Sequence, residues 1–245
     1  ASLVGSEMCI RDRESVLSKG SGLYILLGVA FAVLAMFFVT VVALESVLFS
    51  PSYYIKLEDS FKMSEQMDLT KDGYIRYYNC YMNYISEGDQ TALEAQAGLE
   101  DKRPLFSQED RESLAEERGY YVFLSIAKWV ALALCAGILI IVFVRATKAE
   151  VRIIGRSSGI AVPLLAAILY VVYLLIDKSV FPFIPNLTQD GLLHIFLNSQ
   201  VTEKFYSSWV TMCIVFSVAP LAVSLFFAKV GRRKHEDLSD DYMYQ

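Results

Sequence analysis

Four long apolar runs punctuate the chain: Leu23–Leu44, Trp129–Val144, Gly159–Ile176 and Trp209–Ala228. A bilayer core of roughly 30 Å takes about 20 apolar residues in a helix, so each run is read as a membrane span. The second run reaches full length if it begins near Tyr120, with Lys128 turned toward protein, water or the headgroups. A proline in Phe49-Ser50-Pro51-Ser52-Tyr53-Tyr54 stops the first helix, and the paired tyrosines suit a membrane interface. The insert that follows has a different rhythm. Ile75, Tyr78, Met82 and Ile85 recur at steps of three and four beside a second stripe of Tyr77, Tyr81 and Tyr84, which predicts an amphipathic helix resting on the membrane or on the spans. Thr70 is its expected N-cap, Asp72 lies in its first turn, and Glu87-Gly88-Asp89 ends it. A further helix is predicted from about Gln108 to Tyr121, acid-rich at its start as the helix dipole prefers, and running into the second span. The third span carries Pro163 near its start, where proline is tolerated. The fold expected is all-α and integral to the membrane, with four transmembrane helices and a helical extracytoplasmic insert between the first and second.

Composition supports this class, since 55% of the 245 residues are hydrophobic and concentrated in blocks. The charges then orient it. Arg145, Lys148, Arg152 and Arg156 face only Glu150 in the link 145–158, Lys229, Arg232, Arg233 and Lys234 follow the last span, and Arg11, Arg13 and Lys19 precede the first. The gap 177–208 has only Lys178 and Lys204. By the positive-inside rule both termini, the link 145–158 and the tail 229–245 are expected in the cytoplasm of a multi-pass cell-membrane protein, with segments 45–120 and 177–208 outside. Residues 1–13, ASLVGSEMCIRDR, read as a non-native leader resembling a translated sequencing-adapter scar, leaving 14–245 as a single four-helix membrane domain.

The four cysteines suggest no disulfide framework: Cys135 and Cys213 fall in spans, Cys9 on the cytoplasmic side, and Cys80 alone faces outward. No His/Cys pair has zinc spacing, so neither metal nor cofactor is expected. Gly-rich phosphate loops, His-Glu-x-x-His and Gly-x-Ser-x-Gly are all absent from the sequence. The cationic residues sit where topology needs them, which speaks against a nucleic-acid surface, and the near absence of charge within the spans speaks against an ion or proton pathway. Phe181-Pro182-Phe183-Ile184-Pro185 is predicted as a stiff apolar turn, and Asn186-Leu187-Thr188 is a formal glycosylation triplet.

One of the two histidines, His194, lies in Gly191–Ser199, the short polar gap before the last span. Imidazole titrates near neutrality and can both take and give a proton there. Two stretches around it are familiar together. Leu105-Phe106-Ser107-Gln108-Glu109-Asp110-Arg111-Glu112-Ser113-Leu114-Ala115-Glu116-Glu117-Arg118 resembles a motif of the type Leu-Phe-x-x-x-Glu-x-x-His-Met/Leu-x-Asp-Val-Lys. Leu193-His194-Ile195-Phe196-Leu197-Asn198 resembles Phe-His-Glu-Ile-Phe-Phe-x-Asn-Asp, and Thr202-Glu203-Lys204-Phe205-Tyr206 a Pro-Glu-x-Phe-Phe step. Over most of residues 20–230 the chain resembles the lipoprotein intramolecular transacylase family and its integral-membrane relatives.

That resemblance implies transfer of an acyl chain from the sn-2 position of a lipoprotein's diacylglyceryl-cysteine to the same cysteine's α-amine, served by two outward histidines. His194 matches the second histidine and Ser113 stands in place of the first. Asp110 replaces the motif glutamate, Glu116 its aspartate and Arg118 its lysine, Asn198 matches the motif asparagine with a one-residue shift, and Ile195 stands where the motif has glutamate. The implied catalytic set is His194, Ser113, Glu116 and Asp110, with Arg118 and Asn198 binding substrate. The implied partners are membrane lipid and a bacterial lipoprotein N-terminus. Two alternatives stay open: a degenerate relative that binds lipid or lipoprotein without turnover, and a four-span protein of accessory or structural role.

Overall fold

The computed structural model describes residues 2–96, 103–178 and 191–230, with side chains from Gly22 onward. The predicted turn at 181–185, the triplet at 186–188 and the tail from residue 231 lie outside them. The helices are α1 (Ser2–Leu48), α2 (Pro51–Phe61), α3 (Met63–Gln66), α4 (Lys71–Glu87), α5 (Gln108–Arg145), α6 (Lys148–Leu175), α7 (Leu192–Phe196), α8 (Ser199–Phe216) and α9 (Val218–Val230), with a 3-10 turn at Gln90–Glu94. Among the described residues the only β pairing is an isolated bridge between Gln96 and Pro104. Four stretches of the described residues are long and apolar enough to cross a membrane: Gly22–Leu48, Gln108–Arg145, Lys148–Leu175 and Ser199–Val230.

The local punctuation follows the sequence closely. α1 ends at Leu48, and Ser50 caps α2 by accepting the Tyr53 N–H, with Pro51 at the first helical position. Thr70 caps α4 by accepting from the Gly73 N–H, and Gly88 closes it in the left-handed conformation. α5 begins at Gln108 and runs unbroken to Arg145. Its charged first part, Gln108–Gly119, precedes the apolar stretch that spans. Lys128 is buried and donates to both oxygens of Glu45 at 2.5 Å.

Other expectations need correction. Most of the link 145–158 is helix, because α6 starts at Lys148. Thr147 and Glu150 form a reciprocal cap there, with the Thr147 N–H 2.6 Å from the Glu150 carboxylate. Pro163 consequently lies well inside α6 rather than near its start. The fourth span is two helices broken at Ser217, where Pro220 has no N–H to offer the Phe216 carbonyl. In α4 the buried stripe is shifted: Tyr74 is buried while Ile75 is exposed, so tyrosine rings define the packed face.

The chain divides into two compact units, with the divisions falling inside α1, α5, α6 and α8. One comprises residues 1–40, 129–170 and 213–245. Its helices meet through small residues, since a Cβ built on Gly155 would stand 2.4 Å from the backbone nitrogen of Ala228. Only glycine admits so close an approach of α6 to α9. Ala32, Met36 and Val162 form its small core.

The other unit comprises residues 41–128 and 171–212. Its continuous core draws on α2, α3, α4, the Leu105-Phe106 pair, α7 and the start of α8. Phe196 sits among the rings of Tyr54, Tyr74, Tyr77 and Tyr81, with centroids 5.1 to 6.1 Å away, and stacks nearly parallel on Tyr54.

Candidate functional site

α5 opens with a capping box that does more than cap. Ser107 Oγ accepts the Asp110 N–H and the Asp110 carboxylate accepts the Ser107 N–H, both at 3.0 Å. The same carboxylate, 2% exposed, also accepts the backbone N–H of Leu193. Burial pushes the Asp110 carboxyl above its usual range, and the hydrogen bonds from Ser107 and Leu193 oppose that shift. Gly191 has φ +116°, and a Cβ there would stand 2.5 and 2.6 Å from the two Asp110 oxygens. Both backbone conformation and space therefore require glycine at this position. The turn bearing His194 is thus seated on the start of α5, which joins the two stretches singled out by the motifs.

Leu193 and Phe196 anchor α7 in the core, and His194 between them is half-buried. Its imidazole makes no hydrogen bond or ion pair with any described residue, and nor does the half-buried Ser113 hydroxyl. Glu116 is exposed. Arg118 packs against Gly88, its guanidinium 6.0 Å from the centre of the Tyr84 ring. Asn198 caps α8, its oxygen accepting the Val201 N–H at 3.0 Å and its amide donating to Gln66 Oε1 at 3.2 Å. Of the six expected site residues, Asp110 contacts the turn that carries His194, while Glu116, Arg118 and Asn198 make no hydrogen bond to His194.

The acid that sequence reasoning missed is the neighbour of Glu116. Glu117 is fully buried and accepts a short hydrogen bond from the Tyr81 hydroxyl. Its second oxygen has no partner, and neither does the buried hydroxyl of Tyr77. Burial pushes the Glu117 carboxyl to about 8, against the opposing pull of the Tyr81 bond, so it is largely protonated at neutral pH. Burial raises the Tyr77 hydroxyl well above its ordinary value, with Asp110 and then Glu117 adding to the rise. Asp110, Leu114 and Glu117 lie at helical spacing on the buried face of α5. The result is a buried platform of acids and tyrosines packed against the turn that carries His194. Among the described residues no group of three or more His, Cys, Asp or Glu side chains could hold a metal ion.

This fold is similar to that of the membrane integral lipoprotein intramolecular transacylase Lit from Bacillus cereus. An arginine variant of Lit at one of its histidines matches with a TM-score of 0.61 at 14% identity, over 91% of this chain and 98% of that chain. An alanine variant at the same position matches with a TM-score of 0.62 at 14% identity, over 88% and 98%. No protein-family model matches the chain, and no curated protein does. At this identity the likeness establishes the fold: all-α, membrane-integral and multi-pass.

Proposed function

We propose that this protein is a lipid-modifying acyltransferase that moves an sn-2 acyl chain of a bacterial lipoprotein to its N-terminal cysteine amine, with His194 as general base. The observation that carries this reading is the seating of the His194 turn on Asp110, through Gly191 and the Leu193 N–H. Asp110 is then a positioning residue, which fixes where the imidazole stands without touching it. In the reaction the amine attacks the ester carbonyl and its proton passes to His194 Nδ1 or Nε2. Collapse of the tetrahedral intermediate breaks the bond to the glycerol oxygen, which takes that proton back. Ester and amine belong to one anchored substrate, so holding them together removes much of the entropic barrier. Ser113, one helical turn beyond Asp110, is the residue assigned to donate a hydrogen bond to the developing oxyanion.

A second reading, binding of lipid or lipoprotein without turnover, is favoured by two observations. Ser113 stands where the motif has a histidine, and the His194 imidazole has no hydrogen-bonding partner among the described residues. Expression in a bacterium that lacks lipoprotein N-acylation, followed by mass spectrometry of the lipoprotein N-terminus, separates the two. Turnover yields N-acyl, lyso-glyceryl cysteine that disappears in His194→Ala. If the wild type leaves only the diacylglyceryl form, the acyltransferase reading fails and the binding module remains.

A further inference from the structure

In the unit that contains the insert, the last turn of α1, the length of α2 and the middle of α8 enclose an open groove of about 460 Å³. It is separate from the platform packed against the His194 turn, since no residue of α5 or α7 lines it. Two exposed cations border it from distant parts of the sequence, Lys56 on α2 and Lys204 on α8. Neither ammonium group makes an ion pair with a described residue. Asp59 is the one acid among the lining residues, so two positive charges face one negative charge. An anion lying between two such side chains would be attracted by both charges at once. Ser52 and Ser208 bring hydroxyl donors to the same space.

The rest of the lining is mixed, with Tyr53, Leu57 and Phe61 of α2 and two apolar residues of the spans set among serines. Val47 lies in the last turn of the first span and Met212 about two turns past Lys204 on α8, so the lining passes along α8 from a charge to an apolar side chain. Such a gradient fits an amphiphile better than a small free anion, which would leave the Val47 and Met212 side unfilled. The volume suits a headgroup and glycerol, with the chains continuing into the bilayer.

We propose that this groove binds the phosphate of an anionic membrane lipid between Lys56 and Lys204, with its glycerol lying toward Val47 and Met212. The lipid is a bound structural ligand rather than the acyl donor, so this site stands whether or not His194 supports turnover. Each lysine is attracted to an anionic headgroup, and a groove adds direct charge-assisted hydrogen bonds to the phosphate.

The test uses the purified full-length protein in detergent, titrated with phosphatidylglycerol, phosphatidylcholine or inorganic phosphate while thermal unfolding is followed. Phosphatidylglycerol is expected to raise the midpoint saturably, with the other two giving less than half the shift. In Lys56→Gln/Lys204→Gln the apparent affinity for phosphatidylglycerol is expected to weaken about tenfold. Equal stabilisation by phosphatidylcholine would overturn the anionic assignment, and equal stabilisation by inorganic phosphate would overturn the lipid assignment. An undiminished phosphatidylglycerol shift in the double variant would overturn the site. Should the double variant fold poorly, native mass spectrometry of each single variant counts bound phosphatidylglycerol, and wild-type occupancy in both refutes the proposal.

Discussion

Gly155 and Phe196 stand for two ways of holding helices together within one chain. In the unit built around Gly155, α6 meets α9 with almost nothing between the backbones, and the buried core is a handful of small side chains. In the unit built around Phe196, four tyrosines crowd one phenylalanine and the buried apolar residues form a continuous cluster. Between apolar helices lipid removes most of the hydrophobic drive, so close van der Waals contact carries the packing. The second unit packs as a water-soluble domain does, by hiding large apolar side chains from solvent. The same four long helices contribute to both units, which shows that the surroundings of a segment, more than its helicity, choose its packing chemistry.

Three experiments bear on this contrast. Phe196→Ala is expected to cost about 3–5 kcal/mol, because it empties the centre of a dense aromatic cluster. Hydrogen exchange of α2 and α4 should rise sharply, and protection left at wild-type level would break the contrast. Gly155→Ala is expected to cost about 1–3 kcal/mol through overpacking, read as a lower midpoint of unfolding in detergent. A neutral effect would mean that the α6–α9 approach is looser than the structure has it.

The third experiment concerns the acid inside the aromatic core. Glu117 has its carboxyl raised from the ordinary 4.5 to about 8, so the folded state holds its proton more tightly than the unfolded chain. Below about pH 4.5 both states are protonated and the residue carries no penalty. As pH rises from there through about 8, stability falls with a slope of at most about 1.4 kcal/mol per pH unit, and above that it levels off. Glu117→Gln keeps an acceptor for the Tyr81 hydroxyl and should flatten that part of the profile. A wild-type profile already flat between pH 5 and 8 would place the Glu117 proton elsewhere.

What the sequence disclosed was mostly local. Pro51, Thr70, Gly88 and the start of α5 at Gln108 were legible because caps and breakers act through neighbouring backbone groups. The phase of α5 was not. Its buried face runs Asp110, Leu114, Glu117, and with acids at two of the three positions the usual hydrophobic period is silent. The motif pointed to Glu116, which is exposed, and left its buried neighbour Glu117 unmarked. In α4 the tyrosines behaved as apolar bodies, so the stripe settled on Tyr74 rather than Ile75. The joining of 104–118 to the His194 turn came through the motif resemblance, and the bond that makes it, from Leu193 to Asp110, is a backbone contact invisible to any side-chain pattern.

The Glu45–Lys128 pair has a consequence for how the chain enters its membrane. A lysine at the centre of a span opposes insertion by about 2.5–3.5 kcal/mol, and Lys128 lies within the second span, between Tyr120 and Val144. Its counter-charge lies 83 positions earlier in the chain, at the end of the first span. Synthesis therefore delivers the acid first. The second span is therefore expected to enter the bilayer beside a neighbour that carries the opposite charge. The order of translation thus brings a counter-charge to the lysine of an otherwise apolar span.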